Sequence, residues 1–314
     1  MLRFAALLFI VSCARANTTP AVSSGPISGD ALMAHVSVLA ADSMRGRLSG
    51  SPEAAETRAY VARKFGQAGL QRVGVSFEHP TETVSPRDST VRRATNIVGL
   101  VRGRANTDRY IVVTAHYDHL GVRNGEIYNG ADDNASGTGA LIELARWFAA
   151  NPPQHSMLFV ALDFEEGGLN GARGFVSRPP VPLSSIVLNV NMDMVGRNAK
   201  NELFAAGTSH YPFLRAYLDS AAIRSAITLR FGHDDPNGPR TDDWTTQSDH
   251  YAFHAAGIPF VYFGVEDHPD YHRPTDDVER LMPAFYSGAA NTILDALRVF
   301  DRNLAAIAAR RTTP

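Results

Sequence analysis

The chain has 314 residues, 44% of them apolar, with 25 glycines, 18 prolines, one cysteine and a formal net charge of −2. That composition suits a globular protein with a large core and leaves room for one or two domains. Basic residues form no run longer than a pair such as Arg310–Arg311, which excludes the electrostatic footprint of a nucleic-acid binder, and a lone cysteine excludes an internal disulfide.

The first segment is not fold material. Met1-Leu2-Arg3 carries one positive charge and leads into FAALLFIVS, an apolar run too short to span a bilayer as a helix. Residues 1–16 read as an export signal, and two cleavage sites compete. IVSC, ending at Cys13, has the shape of a lipobox and would leave a lipidated cysteine as a membrane tether. ARA, ending at Ala16, fits ordinary cleavage before Asn17. Both place the protein outside the cytoplasm: secreted, periplasmic, or anchored at a bacterial outer membrane. Residues 17–27, rich in Thr, Pro, Ser and Gly, read as a flexible tether. No second linker and no repeat follows, so residues 28–314 are expected to form a single domain.

Within that domain, SPEAAETRAYVARKFGQAGL starts a helix well. Ser51 is a cap, Pro52 stands in the first turn, Glu53 and Glu56 lie near the positive end, and Gly69 is the stop. Strands are then predicted over residues 96–101 and 110–115, a helix over 138–150, and strands over 157–162 and 186–192. A helix over 211–222, a strand over 258–264 and a long closing helix over 284–310 complete the series. Buried strands alternating with helices predict an α/β three-layer sandwich, a central mixed, mostly parallel sheet flanked by helices.

In such folds ligands sit beyond the carboxyl ends of the strands. His116, Tyr117 and Asp118 follow one strand, and Asp163-Phe164-Glu165-Glu166 another. Asp193 follows a third, and DYHRPTDD with His272 a fourth; the paired acids Asp132 and Asp133 open the helix at 138. Taken singly, each has an ordinary explanation as a loop residue or a helix cap. Converging carboxylates without a cation would repel one another and resist burial. His, Asp and Glu are donors suited to zinc, or to manganese or cobalt, so one of the paired aspartates is expected to bind metal. Asp118, two residues past His116, can turn back to brace its imidazole. Adjacent side chains at Glu165-Glu166 point apart, so one can face metal and the other a substrate as a base. No G-x-S-x-G elbow or dinucleotide-binding glycine loop is present.

The motifs AHYDHLG, NGADDNASGTGALIELAR, FEEGGLNGAR, NMDMVGR and YHRPTDD, taken in order, resemble the M28 family of zinc aminopeptidases, over roughly residues 28–314. The resemblance implies an exopeptidase with two zinc ions that acts on peptides. His116 and Asp193 would hold one ion, Glu166 and His272 the other, with Asp133 bridging both and Glu165 as general base. Asp118 would support His116, and the peptide bond from Asp133 to Asn134 would be cis. Asp132 is then left as a loop or capping acid. Ser248 and Asp249 match a family segment near the substrate, and residues 234–244 would help select it. The other histidines are expected to be structural, with His119 and His250 the exceptions to watch, as groups behind the ligands or facing substrate. No obligate protein partner is evident. Two rival functions remain on the same scaffold: a glutaminyl cyclase, which uses one zinc, and a non-catalytic binding domain, whose members lose ligands.

Overall fold

The computed structural model describes residues 25–84, 89–105 and 108–311. The expected export signal, Cys13 and most of the expected tether lie outside them. The chain opens with α1 (Gly29–Leu39), a turn of 3-10 helix over Asp42–Arg47, and α2 (Pro52–Ala68). Next come β1 (Gln71–Arg72), β2 (Glu78–Val84), β3 (Val91–Val101) and β4 (Tyr110–His116). A small hairpin of β5 (Gly121–Arg123) and β6 (Glu126–Tyr128) leads to the loop Ala131–Ser136 and α3 (Gly137–Ala150). The second half holds β7 (Ser156–Leu162), α4 (Asn170–Ser177), β8 (Ile186–Asp193), β9 (Glu202–Ala206), α5 (Arg215–Ala222), β10 (Thr228–Phe231), α6 (His250–Ala255), β11 (Phe260–Gly264) and α7 (Pro283–Arg311).

Local chemistry sets the ends of α2 as the sequence implies. The Ser51 hydroxyl accepts the Ala54 N–H, and Gly69 closes the helix at φ 84°, a left-handed turn that glycine adopts without strain. The helix predicted from Tyr211 begins later, at Arg215, because Pro212 opens a 3-10 turn there instead.

A nine-stranded sheet runs in the order β1-β3-β7-β4-β8-β11-β9-β10, with β2 alongside β3. β7, β4, β8 and β11 are parallel, while β3 joins β7, and β9 joins β11, antiparallel. The sheet is therefore mixed, and its parallel centre is the part the hydrophobic runs announced. Alternate residues divide between its faces, as strand geometry requires. Ile111, Val113, Phe159 and Val190 pack beneath α1, α2, α3 and α7, whereas Val112, Leu158 and Val160 meet Phe175 of α4 and Phe253 of α6. The result is the expected three-layer α/β sandwich. Ile27 is fastened to α7: Asn291 Oδ1 accepts the Ile27 N–H, and Asn291 Nδ2 and Ser287 Oγ both donate to the Ile27 carbonyl. Among the described residues no helix is long and apolar enough to cross a membrane.

Candidate metal centre

Parallel neighbours end side by side, so the last residues of β4 and β8 emerge together. His116 Nε2 lies 3.3 Å from Asp193 Oδ1 and 3.4 Å from Asp133 Oδ1. Asp133 comes from the loop before α3, where the Asp133–Asn134 peptide bond is cis. Its other oxygen, Oδ2, lies 3.1 Å from His272 Nε2 and 3.7 Å from His119 Nδ1. Glu166 completes the group, with Oε2 3.3 Å from His272 Nε2 and Oε1 2.7 Å from His119 Nδ1. All five residues expected as metal donors thus converge, and Asp133 is common to both ends of the cluster.

The spacing and the donor types fit metal. Zinc bonds of about 2.0–2.2 Å in a tetrahedron leave donor atoms about 3.3–3.5 Å apart, and the His116–Asp133–Asp193 contacts match that. Two triads, His116/Asp133/Asp193 and His119/Asp133/Glu166, each bring donor atoms within 4.8 Å of one another. Glu166 Oε1 and both ring nitrogens of His119 are buried without a hydrogen-bond partner, the condition of groups that await a cation.

The electrostatics agree. Burial alone would raise the Asp133 carboxyl, but the imidazoles of His119, His116 and His272 hold it well below the usual range. Burial opposes charge on His272, yet Asp133 and Glu166 push it up to about 10. Glu165 moves the other way. Burial first, and then the carboxylates of Asp193, Asp249 and Glu166, hold it well above an ordinary glutamate.

The supporting residues divide into those the sequence pointed to and those it hid. Asp118 is buried, but its carbonyl rather than its carboxylate meets His116 Nδ1, at 3.1 Å; the carboxylate stands 3.7 Å away. That carboxylate instead accepts the Glu165 and Glu166 N–H groups, at 3.0 and 3.4 Å, and the Ser49 hydroxyl. It therefore orients the acidic pair after β7. Asp132 is not a helix cap. It is fully buried, accepts the Gly196 N–H at 2.7 Å and lies 3.2 Å from His268 Nε2, so it pins the exit of β8. Ser248 donates to Asp193 Oδ2 at 2.6 Å and orients it. His250 packs inward, stacked on Tyr262 and bonded to the Trp244 carbonyl, and burial drives it down to about 3.

Two anchors were not read from the sequence. Asp276, in YHRPTDD, accepts the backbone N–H groups of Asp132 and Asp133 at 3.0–3.1 Å and so fixes the loop that carries Asp133. Arg47 is fully buried and donates to four carbonyls, those of Leu39 (2.7 Å), Tyr117 (2.8 Å), Asn129 (2.6 Å) and Gly130 (2.9 Å). Its backbone is left-handed at φ 49°, a strain of about 1–3 kcal/mol for a non-glycine, which those bonds offset. The clue was a basic residue in MRGRLSG without a carboxylate at pairing distance in sequence. No local pattern announces a guanidinium that caps loops far along the chain.

Beside the cluster lies a cleft of about 430 Å³ whose lining includes Asp133, Glu165, Glu166, Asp193 and His272 together with Trp244, Tyr262 and Tyr271; Tyr271 stacks on His272. Within residues 234–244 it is Trp244 that reaches this cleft; Asp234 is buried and holds the Gly207 and Ser209 N–H groups.

Comparison with known proteins agrees with this architecture. The family model described as peptidase family M28 matches residues 96–297. The aminopeptidase YwaD of Bacillus subtilis is 28% identical over 236 residues, 68% of this chain and 48% of YwaD. The chain thus spans about half the length of that curated relative. Among solved structures, a glutaminyl cyclase of Bacteroides thetaiotaomicron bound to N-acetylhistamine superposes with a TM-score of 0.69 at 19% identity, covering 88% of this chain and 99% of the other. BSAP, a zinc aminopeptidase from Bacillus subtilis, superposes with a TM-score of 0.67 at 17% identity, covering 87% and 94%. At such identities the superpositions establish the fold, and the family match over residues 96–297 establishes kinship: the chain belongs to the M28 family of metallopeptidases.

Proposed function

We propose that the protein is an exported exopeptidase that carries two zinc ions and releases N-terminal residues from peptides. His116 and Asp193 hold one ion, Glu166 and His272 the other, and Asp133 bridges them. The observation that carries this reading is the division of Asp133, one oxygen facing His116 and the other facing His272. Manganese or cobalt suits the same donors. Bound zinc supplies Lewis acidity at the scissile carbonyl and acidifies water. Glu165 accepts a proton from the water that attacks the carbonyl carbon, then delivers it to the departing amine nitrogen. Asp118 positions Glu165 through its backbone N–H. The carboxylates of the cleft attract a substrate's free amine, and its aromatic lining of Trp244, Tyr262 and Tyr271 packs against an apolar side chain. Export follows from the apolar segment before Cys13, and lipidation of that cysteine would tether the enzyme to a membrane.

The test incubates zinc-loaded protein with aminoacyl amides and with peptides that begin in glutamine. Release of free N-terminal residues, abolished by chelator and restored by zinc, is expected. Loss of ammonia with formation of a cyclised N-terminus and no residue release would make it a glutaminyl cyclase. No turnover together with no metal affinity would make it a binding domain.

A further inference from the structure

Building on the two-ion reading above, we propose that His119 is an additional metal donor, so that one position is bound by His119, His272, Glu166 and Asp133 and the other by His116, Asp193 and Asp133. The ring of His119 has no exposed surface, and neither of its nitrogens has a hydrogen-bond partner. Nδ1 nevertheless comes within 2.7 Å of Glu166 Oε1, itself unpartnered, and 3.7 Å of Asp133 Oδ2. At 2.7 Å a well-aligned N–H would make a strong bond to a carboxylate. The two meet as a close ion pair, yet neither atom has a hydrogen-bond partner of good geometry. A cation about 2.0–2.2 Å from both atoms would open the pair toward the roughly 3.3–3.5 Å of a tetrahedral site, and the donor atoms of His119, Asp133 and Glu166 already lie within 4.8 Å of one another.

The surroundings hold the ring in this pose. A Cβ at Gly130 would fall 2.5 Å from His119 Cγ and Cδ2, so the Gly130 backbone lies against the imidazole. Arg47 fixes that backbone by donating to the Gly130 carbonyl. His272 approaches Glu166 from its other oxygen, Oε2, with the two imidazoles 5.8 Å apart between ring centroids. The two carboxylate oxygens of Glu166 therefore face different histidines. Two imidazoles and two carboxylates make this position richer in borderline donors than its neighbour, so it fills first and empties last.

The test loads the full chain, with ¹⁵N-labelled histidine, with ¹¹³Cd and counts imidazoles coupled to each ion by NMR; zinc-loaded protein is titrated in parallel with a competing chelator. The wild type is expected to give one cadmium coupled to two imidazoles and one coupled to a single imidazole, and to lose zinc in two steps. His119→Ala is expected to leave one imidazole per ion and to weaken the tighter step beyond the roughly 10–100-fold typical of losing a supporting partner. Two ions with one imidazole each in the wild type would overturn the role of His119 and leave the two-ion reading intact. A single ion coupled to His119 would support the donor and overturn the two-ion reading, and no bound ion would overturn both. The wild-type spectrum decides even where His119→Ala fails to fold.

Discussion

Replacing Arg47 with methionine keeps a long side chain and strips four buried carbonyls of their donor. Hydrogen bonds to a charged group contribute about 1.5–3 kcal/mol each, so losing four costs about 6 kcal/mol at the low end. The guanidinium's own burial, which pulls it down to about 10, is relieved at the same time, returning several kcal/mol. The net expectation is a loss of about 3–5 kcal/mol, the four bonds less the relieved burial. At about 2–4 °C per kcal/mol, the melting temperature falls by roughly 6–20 °C. Melts with excess chelator isolate this effect from metal binding, and Arg47→Lys, with three donors for four carbonyls, should fall between. Two of those carbonyls, Asn129 and Gly130, precede the Asp133 loop, and Tyr117 adjoins His116, so zinc affinity should drop as well. If chelated Arg47→Met melts within about 2 °C of the wild type, the latch contributes nothing and the reasoning fails.

Glu165→Gln should retain its metal and lose about 10²–10⁴ in kcat; near-normal turnover would remove Glu165 from the role of base. Asp133→Ala should lose metal measured by elemental analysis after dialysis, since both ends of the cluster share that carboxylate; full zinc content in the variant would refute a bridge. Glu143 offers a test of pH dependence away from the site. Burial would raise its carboxyl, but His35 and Arg146 lower it from 4.5 to about 2. The folded value is depressed, so its stabilisation is complete above 4.5 and is lost as pH falls from there toward about 2. Chemical denaturation across that window should show a steeper loss for the wild type than for Glu143→Gln, and parallel curves would contradict the assignment.

The parallel centre of the sheet was legible because its strands are buried on both faces and read as unbroken apolar runs such as YIVVTA and MLFVAL. β2 and β10 have at most one buried residue each, β9 is only five residues long, and in isolation these look like loop. α4 and α6 have eight and six residues, too short for helical periodicity to declare itself. The acids and histidines at the strand ends stood out because strand topology forces them together. Arg47 and Asp276 did not, since each acts on backbone groups, which have no letter in the sequence. Asp132 and Asp133 looked equivalent as neighbours; their opposite orientations come from a loop conformation that composition does not encode. For Asp118, spacing suggested a carboxylate braced against His116; the carboxylate lies 3.7 Å from Nδ1, and the residue's carbonyl comes nearer, at 3.1 Å.

Ile27 and Asn291 are 264 positions apart and exchange hydrogen bonds in both directions. A ribosome therefore finishes α1 long before it begins the helix against which the entry of α1 is fastened. Once α3 is made, the flank formed by Leu32, Val36 and Leu39 still waits for α7 to complete its packing. A nascent chain with that wiring closes late, and the seating of its first helix waits on the last one to be made.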